Sequence, residues 1–304
     1  MKAIIQKQYG DENTLENVKV DDLQITKPNQ ILVDVHYANI GAGDKNINTL
    51  SQPWFLQLMI RLVFGWNKPK ASIRGISGSG IVKAIGSQVN AFQIGDHVNF
   101  INSMKAGVLA DQVLLSDKSI ISKVNPATSL EDAACIPFGL LSAYHFINEN
   151  SIQVGDDVYI YGASGAVGSA ALSLATHCGA KVVAIASAKH HPHLSKLNPY
   201  KLIDYQTQNP FDIQDRFDIV FDGVGKIKKN QVKRLLKPTG KFLTIKSPTK
   251  EDRQRLSHLN TLLSESKIKV IIDQIYDFDD FRQAHAHVYA GHKTGNVLIK
   301  IKKG

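Results

Sequence analysis

Over the first third of the chain, apolar and polar residues alternate in short runs broken by Gly and Asp. Ile31-Leu-Val-Asp-Val-His-Tyr37 follows the turn signal Lys27-Pro-Asn-Gln30 and reads as a strand. Ser79-Gly-Ile-Val-Lys-Ala-Ile-Gly86 leads through a polar turn to Phe92-Gln-Ile-Gly-Asp-His-Val-Asn-Phe100, another strand signal. Short strands with this punctuation predict a barrel-like, mainly antiparallel unit. One stretch breaks the pattern: Trp54 to Trp66, WFLQLMIRLVFGW, has helical spacing. It is too short to span a bilayer, which takes about 20 mostly apolar residues. It reads as a buried or half-buried helix, or alternatively as an apolar wall or lid beside a substrate pocket.

The pattern changes after about residue 125. Ser129 can cap a helix opening with Leu-Glu-Asp-Ala-Ala, whose acidic residues suit the positive end of the helix dipole. Asp157-Val-Tyr-Ile-Tyr161, Lys181-Val-Val-Ala-Ile-Ala186, Lys201-Leu-Ile-Asp-Tyr205, Asp218-Ile-Val-Phe-Asp222 and Lys241-Phe-Leu-Thr-Ile245 read as strands. Between the first two lies an Ala-rich helix from Val167 to Cys178, ended by Gly179. Strands alternating with helices predict right-handed crossovers and a parallel, doubly wound sheet. Near the end, Lys269-Val-Ile-Ile-Asp273 and Gly295-Asn-Val-Leu-Ile-Lys-Ile301 are strand-like and could rejoin the first unit.

Composition adds limits. With 304 residues, 43% of them hydrophobic and 21% charged, the chain is globular and long enough for two domains. Two cysteines, Cys135 and Cys178, are too few for a disulfide framework or a zinc ribbon. The N-terminal apolar run is too brief for a signal peptide, so the expectation is a reducing, cytoplasmic setting. The net charge of +9 is local: Lys226 to Arg255 carries eleven basic residues against Glu251 and Asp252.

The sharpest chemical signal is Tyr161-Gly-Ala-Ser-Gly-Ala-Val-Gly168, between a strand and a helix. It reads as the dinucleotide fingerprint with Ala163 in the first glycine position. Gly165 lets backbone approach a pyrophosphate, Gly168 permits close helix–strand packing, and the helix N-terminus offers free N–H groups. NAD-binding chains place an acid at the end of the second strand. Here that strand ends Ala186-Ser-Ala-Lys-His-His191, without a carboxylate. Ser187 and Lys189, with Tyr205 after the next strand, would suit a 2′-phosphate, which favours NADP(H). Otherwise Lys189 and His190 are a solvated loop.

With Gly86-Ser-Gln-Val-Asn-Ala-Phe-Gln-Ile-Gly-Asp-His-Val98, Glu131-Asp-Ala-Ala-Cys-Ile-Pro137 and Gly295-Asn-Val-Leu-Ile299, the chain resembles the medium-chain dehydrogenase/reductase superfamily. More narrowly it resembles the zinc-free quinone oxidoreductase branch, nearly end to end. The resemblance implies an α/β fold: a Rossmann doubly wound parallel sheet, residues 125–264, inserted into a GroES-like, mainly antiparallel catalytic domain, residues 1–124 plus 265–304. It implies a pyrophosphate loop of Ser164, Gly165, Ala166, Val167 and Gly168, and a 2′-phosphate site of Ser187, Lys189 and Tyr205. Ser142 falls near the nicotinamide, and Val224 and Asn296 approach the cofactor from either side of a cleft. Ile40, Gly41 and Asp44 fall at the substrate cleft. Relatives usually carry Asn at Gly41, unless the register shifts to Asn39, and an acid at Ser77; Ala166 replaces a common Gly. The chain is also shorter than usual between Lys246 and Leu262.

The zinc-dependent branch needs a Cys, a His-Glu pair and a further Cys or Asp, plus four clustered Cys for a structural site. This sequence has none of those sets, and its eleven scattered histidines read as polar residues facing solvent. The expectation is therefore a metal-free, NADPH-dependent hydride transfer to an acceptor that is already electrophilic, a quinone or an enone. No general acid stands out; Asp44 is the weak candidate, with a turn-capping role as its alternative. The competing reading is a nucleotide-regulated RNA-binding protein using Lys226–Arg255, though Phe242 is the only aromatic residue there to stack on a base. The expected partners are a small electrophilic substrate and a second copy of the chain, with Lys241-Phe-Leu-Thr-Ile245 as an edge strand and no membrane insertion.

Overall fold

A computed structural model describes residues 1–103, 105–148 and 151–302. The chain opens with β1 (Lys2–Gln6), β2 (Leu15–Lys19) and β3 (Gln30–Ile40), then helices α1 (Ala42–Thr49) and α2 (Trp54–Phe64). Strands β4 (Ser77–Ile85), β5 (His97–Ile101), β6 (Gln112–Ser116) and β7 (Ile120–Lys123) follow. Next come α3 (Leu130–Cys135), a π-helical turn over Ile136–Leu140, α4 (Leu141–Phe146), β8 (Asp157–Tyr161), α5 (Ala166–His177) and β9 (Lys181–Ile185). Then α6 (His191–Leu194), β10 (Lys201–Ile203), β11 (Phe217–Asp222), α7 (Lys229–Val232), β12 (Leu236–Thr244) and α8 (Arg253–Ser264). The chain closes with β13 (Ile272–Asp277), α9 (Phe281–Ala290) and β14 (Asn296–Lys300).

Two large sheets result. Five strands pair in parallel in the order β10-β9-β8-β11-β12. They are buried by apolar side chains on both faces, as a sheet between helical layers requires: Ile160, Leu172 and Phe221 on one side, Tyr159, Val183 and Phe217 on the other. β12 is one edge of this sheet. The second sheet has seven strands, β13-β14-β3-β4-β5-β7 with β6 on β3, and is antiparallel except for the β13–β14 pair. The tail strands thus return to the first unit: Val297 to Lys300 pair with Tyr37 to Ile40. β1 and β2 form a separate ribbon.

Local signals explain several element ends. Ser129 Oγ accepts from the Asp132 N–H at 3.1 Å, as an N-cap does. Gly179 ends α5 at φ +80°, where a side chain would be strained. α1 carries no helix signal at its start, since Gly41-Ala-Gly is poor in helix formers; Asp44 starts the helix by reaching back to the Gly41 N–H at 2.9 Å.

The Trp54–Trp66 stretch is helical, but a fully buried helix is overturned: Gln57, Ile60, Arg61 and Phe64 are half-buried on one side and the rest of α2 is exposed. None of the α2 side chains is buried, and Trp54 is 77% exposed. The histidines are corrected too. His285 is fully buried, its Nδ1 2.7 Å from Phe281 O, and His190 is buried with its Nδ1 2.6 Å from Thr294 Oγ1. The His190 half of the solvated-loop alternative therefore falls. The basic stretch Lys226–Arg255 is divided among the four-residue α7, the edge strand β12 and the first turn of α8. Lys237 within it bridges Asp157 and Asp218, both at 2.8 Å. No helix among the described residues is long and apolar enough to cross a membrane.

Candidate active site

The fingerprint turn joins β8 to α5. Gly162 and Ala163 donate backbone N–H groups to Ile185 O at the end of β9, at 3.1 and 3.0 Å, which fixes the turn to the neighbouring strand. A Cβ on Gly168 would lie 2.1 Å from Gly162 O, so only glycine lets α5 sit this close to the turn. Gly165 differs: a Cβ there would meet only Gly162 O, at 3.7 Å. Open room lies in front of Gly165, beside the first-turn N–H groups of Ala166, Val167 and Gly168, which have no partners inside a helix. This is a cradle for an anion, with the positive end of the α5 dipole behind it.

The antiparallel sheet meets this cradle at β14. Gly295 donates its N–H to Ser164 O at 2.8 Å, and Gly165 and Gly295 form a parallel bridge. Asn296 follows immediately. It is buried, its Oδ1 accepts from Asn39 Nδ2 at 3.0 Å, and its own amide donates to Ile271 O. Asn39 is thereby tied to the tail strand. Thr294, one residue before Gly295, holds His190, so the loop after β9 is fastened to the same corner. Burial, with the charge of Lys189 second, holds the His190 imidazole below its usual pKa. Lys293 donates to Gly295 O, and burial pushes its ammonium down to about 8.

Ser187 is 2% exposed and its Oγ has no hydrogen-bond partner, while Lys189, two residues on, is exposed. A buried hydroxyl without a partner costs about 1–3 kcal/mol unless something meets it. Tyr205 is about half exposed just beyond β10. Val224 caps Gly162, whose own Cβ would collide with it. The loop bearing Val224 is set by buried Asp222, which accepts from the N–H groups of Val224, Gly225 and Ile227 at 2.8–3.1 Å. The sequence reading passed over Asp222; its signal was a carboxylate closing an otherwise apolar strand.

On the other side of the fingerprint, the π-helical turn packs on α5: a Cβ on Gly139 would lie 3.2 Å from the Ala166 Cβ. Phe138 from this turn lies against Gly41 and Gly43, its ring 3.2 Å from where their Cβ atoms would be. The ring fills room beside the cleft that a side chain at Gly41 would take. Ser142, one turn on in α4, is half-buried; Ile40 and Gly41 are buried at the end of β3. Ser77 Oγ is buried without a partner, in register with Asn39.

Asp44 lies in α1, fully buried, and burial pushes its carboxyl up to about 6 against the pull of the Gly41 N–H and Arg74. Arg74 is buried too, donating to Asn48 Oδ1, and Asn48 donates to the Tyr289 hydroxyl at 2.9 Å. Asp44, Asn48, Arg74, His285 and Tyr289 make a polar cluster between α1 and α9. Beside it is a cavity of about 280 Å³ lined by Ile47, Val63, Phe64, Lys70, Arg74 and Ile76. Among the described residues, no three His, Cys, Asp or Glu side chains lie close enough to hold a metal ion.

Known proteins are similar to this chain in sequence and fold. The profile of the alcohol dehydrogenase GroES-like domain matches residues 27–123, and one described as zinc-binding dehydrogenase matches 247–299. The 2-methylene-furan-3-one reductase of Solanum lycopersicum is 26% identical over 98% of this chain and 79% of its own. The NADPH-dependent alkenal/one oxidoreductase, chloroplastic, of Arabidopsis thaliana shows the same identity and coverage. The structure of the quinone oxidoreductase from Coxiella burnetii superposes with a TM-score of 0.87 and 27% identity, covering 99% of both chains. With the cradle, the β14 corner and both sheets in place, the chain belongs to the medium-chain dehydrogenase/reductase superfamily, on its quinone oxidoreductase-like branch.

Proposed function

We propose that this oxidoreductase uses NADPH to reduce a quinone or an α,β-unsaturated carbonyl without zinc. The observation that carries the reading is the pairing of Gly165 with Gly295, which seats an anion cradle of the parallel sheet against the tail strand of the antiparallel one. Ser164 to Gly168 would hold the pyrophosphate, and Ser187, Lys189 and Tyr205 the 2′-phosphate. The unpartnered Ser187 hydroxyl fits a phosphate oxygen, and an exposed Lys189 supplies its charge. Ser142, Val224 and Asn296 would flank the nicotinamide, with Ile40, Gly41 and Phe138 on the acceptor side. When bound, the dihydronicotinamide supplies a hydride.

The protein's part is to orient the two reactants and exclude water, which converts a collision into a positioned transfer. The hydride enters the β-carbon of an enone or a quinone ring, and the proton that completes the reduction comes from water or a nearby hydroxyl. Asp44 is held by the Gly41 N–H and serves the start of α1. In this reading, residues 1–124 and 265–304 form the acceptor side and 125–264 the nucleotide side, and the open edge at β12 suits pairing with a second copy. Turnover of quinones and enones, followed by nucleotide oxidation with NADPH and NADH in parallel, tests it. NADPH should be preferred; tight NADPH binding with no turnover of any acceptor would discard the reductase.

A further inference from the structure

Eight of the fifteen exposed large hydrophobic side chains recorded among the described residues lie between Trp54 and Trp66. Those within α2 sweep roughly 200° of its circumference at about 100° per residue, from Trp54 through Leu58, Phe55 and Met59 to Leu56, and leave Gln57, Ile60, Arg61 and Phe64 on the inward side. Exposed apolar surface gathered like this marks an interaction site. The helix is pinned from below at its C-terminal end. Tyr9 donates its hydroxyl to Gly65 O at 2.7 Å with Arg61 over its ring, and Lys70 Nζ donates to Leu62 O and Val63 O. The structure therefore holds the apolar surface outward.

Along the chain, the charge on either side of the helix has one sign. From Lys45 to Gly95 there are six basic residues and no Asp or Glu. Of these, Arg61, Lys68 and Lys70 flank α2 directly, Lys68 and Lys70 being exposed. Both tryptophans of the chain, Trp54 and Trp66, stand at the two ends of the helix. An apolar helix with aromatic ends and a cationic border matches the interface of an anionic bilayer. Eleven residues reach about 16 Å, enough to lie in that interface and too short to cross about 30 Å of hydrocarbon.

We propose that α2 docks this protein on anionic membrane surfaces, lying in the headgroup layer with Trp54 and Trp66 at its ends. A second copy of the chain is a poorer occupant, since a symmetric contact would set one cationic border against another. A rigid partner groove is poorer too, because apolar side chains cover more than half of the helix circumference and a fluid bilayer surrounds them all. Val63 and Phe64 also wall the cavity beside Arg74, so docking would bring that cavity to the lipid surface, where a lipid-soluble acceptor arrives. Docking itself does not depend on the reductase reading.

The test is flotation with vesicles of phosphatidylcholine alone or with about a third phosphatidylglycerol, read together with tryptophan emission, which reports only on the ends of α2. The full chain should float with the anionic vesicles, its emission shifting to the blue, and roughly 10-fold less should bind with neutral lipid or high salt. A Met59→Glu/Leu62→Glu double variant should lose both signals while keeping its circular dichroism and NADPH binding. A wild-type chain that neither floats nor shifts overturns the proposal. So does a dimer in sedimentation that the same variant dissolves, since a second copy would then cover α2.

Discussion

At the scale of single residues, the cluster between α1 and α9 sets two opposing responses to acid. The Asp44 carboxyl, pushed up to about 6 by burial, favours its protonated form in the folded chain. Its contribution to stability is full below the ordinary aspartate range and is lost as pH rises through 6. Burial lowers His285 to about 4, so its contribution is full above the ordinary histidine value and is lost as pH falls towards 4. The two oppose each other over the same window. Asp44→Asn removes the first, so the variant should lose stability against wild type by about 2–2.5 kcal/mol between pH 7 and pH 4. Urea midpoints across that range measure it, and a pH-independent difference would contradict the buried carboxyl. At the nucleotide side, Lys189→Ala should raise KM for NADPH about 10-fold and leave KM for NADH within about 2-fold. An equal effect on both nucleotides would remove Lys189 from the 2′-phosphate site.

At the scale of elements, two joints hold the cradle. A Gly168→Ala chain must move α5 away from Gly162 O, at a cost of about 1–3 kcal/mol, and should lose most of its NADPH affinity. Calorimetric unfolding and a nucleotide titration read the two effects together. Asp222→Ala leaves three backbone N–H groups of the Val224 loop without their acceptor and should destabilise by about 2–4 kcal/mol. Denaturant melts check this, and an Asp222→Asn chain, which keeps acceptor oxygen, should recover part of the loss. These elements differ in how readable they were. The fingerprint, the Ser129 cap and the strands of the parallel sheet are local patterns, so the sequence carried them. α1 was hidden because Gly41-Ala-Gly disfavours helix, and only the reach of Asp44 back to Gly41 starts it. In α2 the helical spacing was legible, but whether its apolar residues meet protein or solvent is not a property of the segment.

Across the whole molecule, the two sheets are joined at corners as well as by chain crossings. Asn99 on β5 and Asn260 on α8 exchange amide hydrogen bonds at 2.8 and 3.0 Å, and Asn260 also donates to Lys123 O. Asn260→Ala leaves the buried Asn99 Oδ1 and the Lys123 carbonyl without the Asn260 amide and should cost about 2–3 kcal/mol. Urea unfolding measures that loss, and a change below about 0.5 kcal/mol would mean the joint is held elsewhere.

By itself, the sequence determined the alternation of strands and helices, the nucleotide cradle and the missing acid after β9. Each of these is set by neighbours a few residues apart, where turn geometry, capping and helix spacing act. Tertiary structure alone decided the return of β14 to β3, the burial of His190 and His285, the use of Asn39 to hold Asn296, and the exposure of α2. Each of those depends on residues far apart in sequence, such as Asn39 and Asn296, 257 positions apart, meeting in space. Burial and pairing are properties of the surroundings a side chain finally meets, and a local pattern of residues does not carry them.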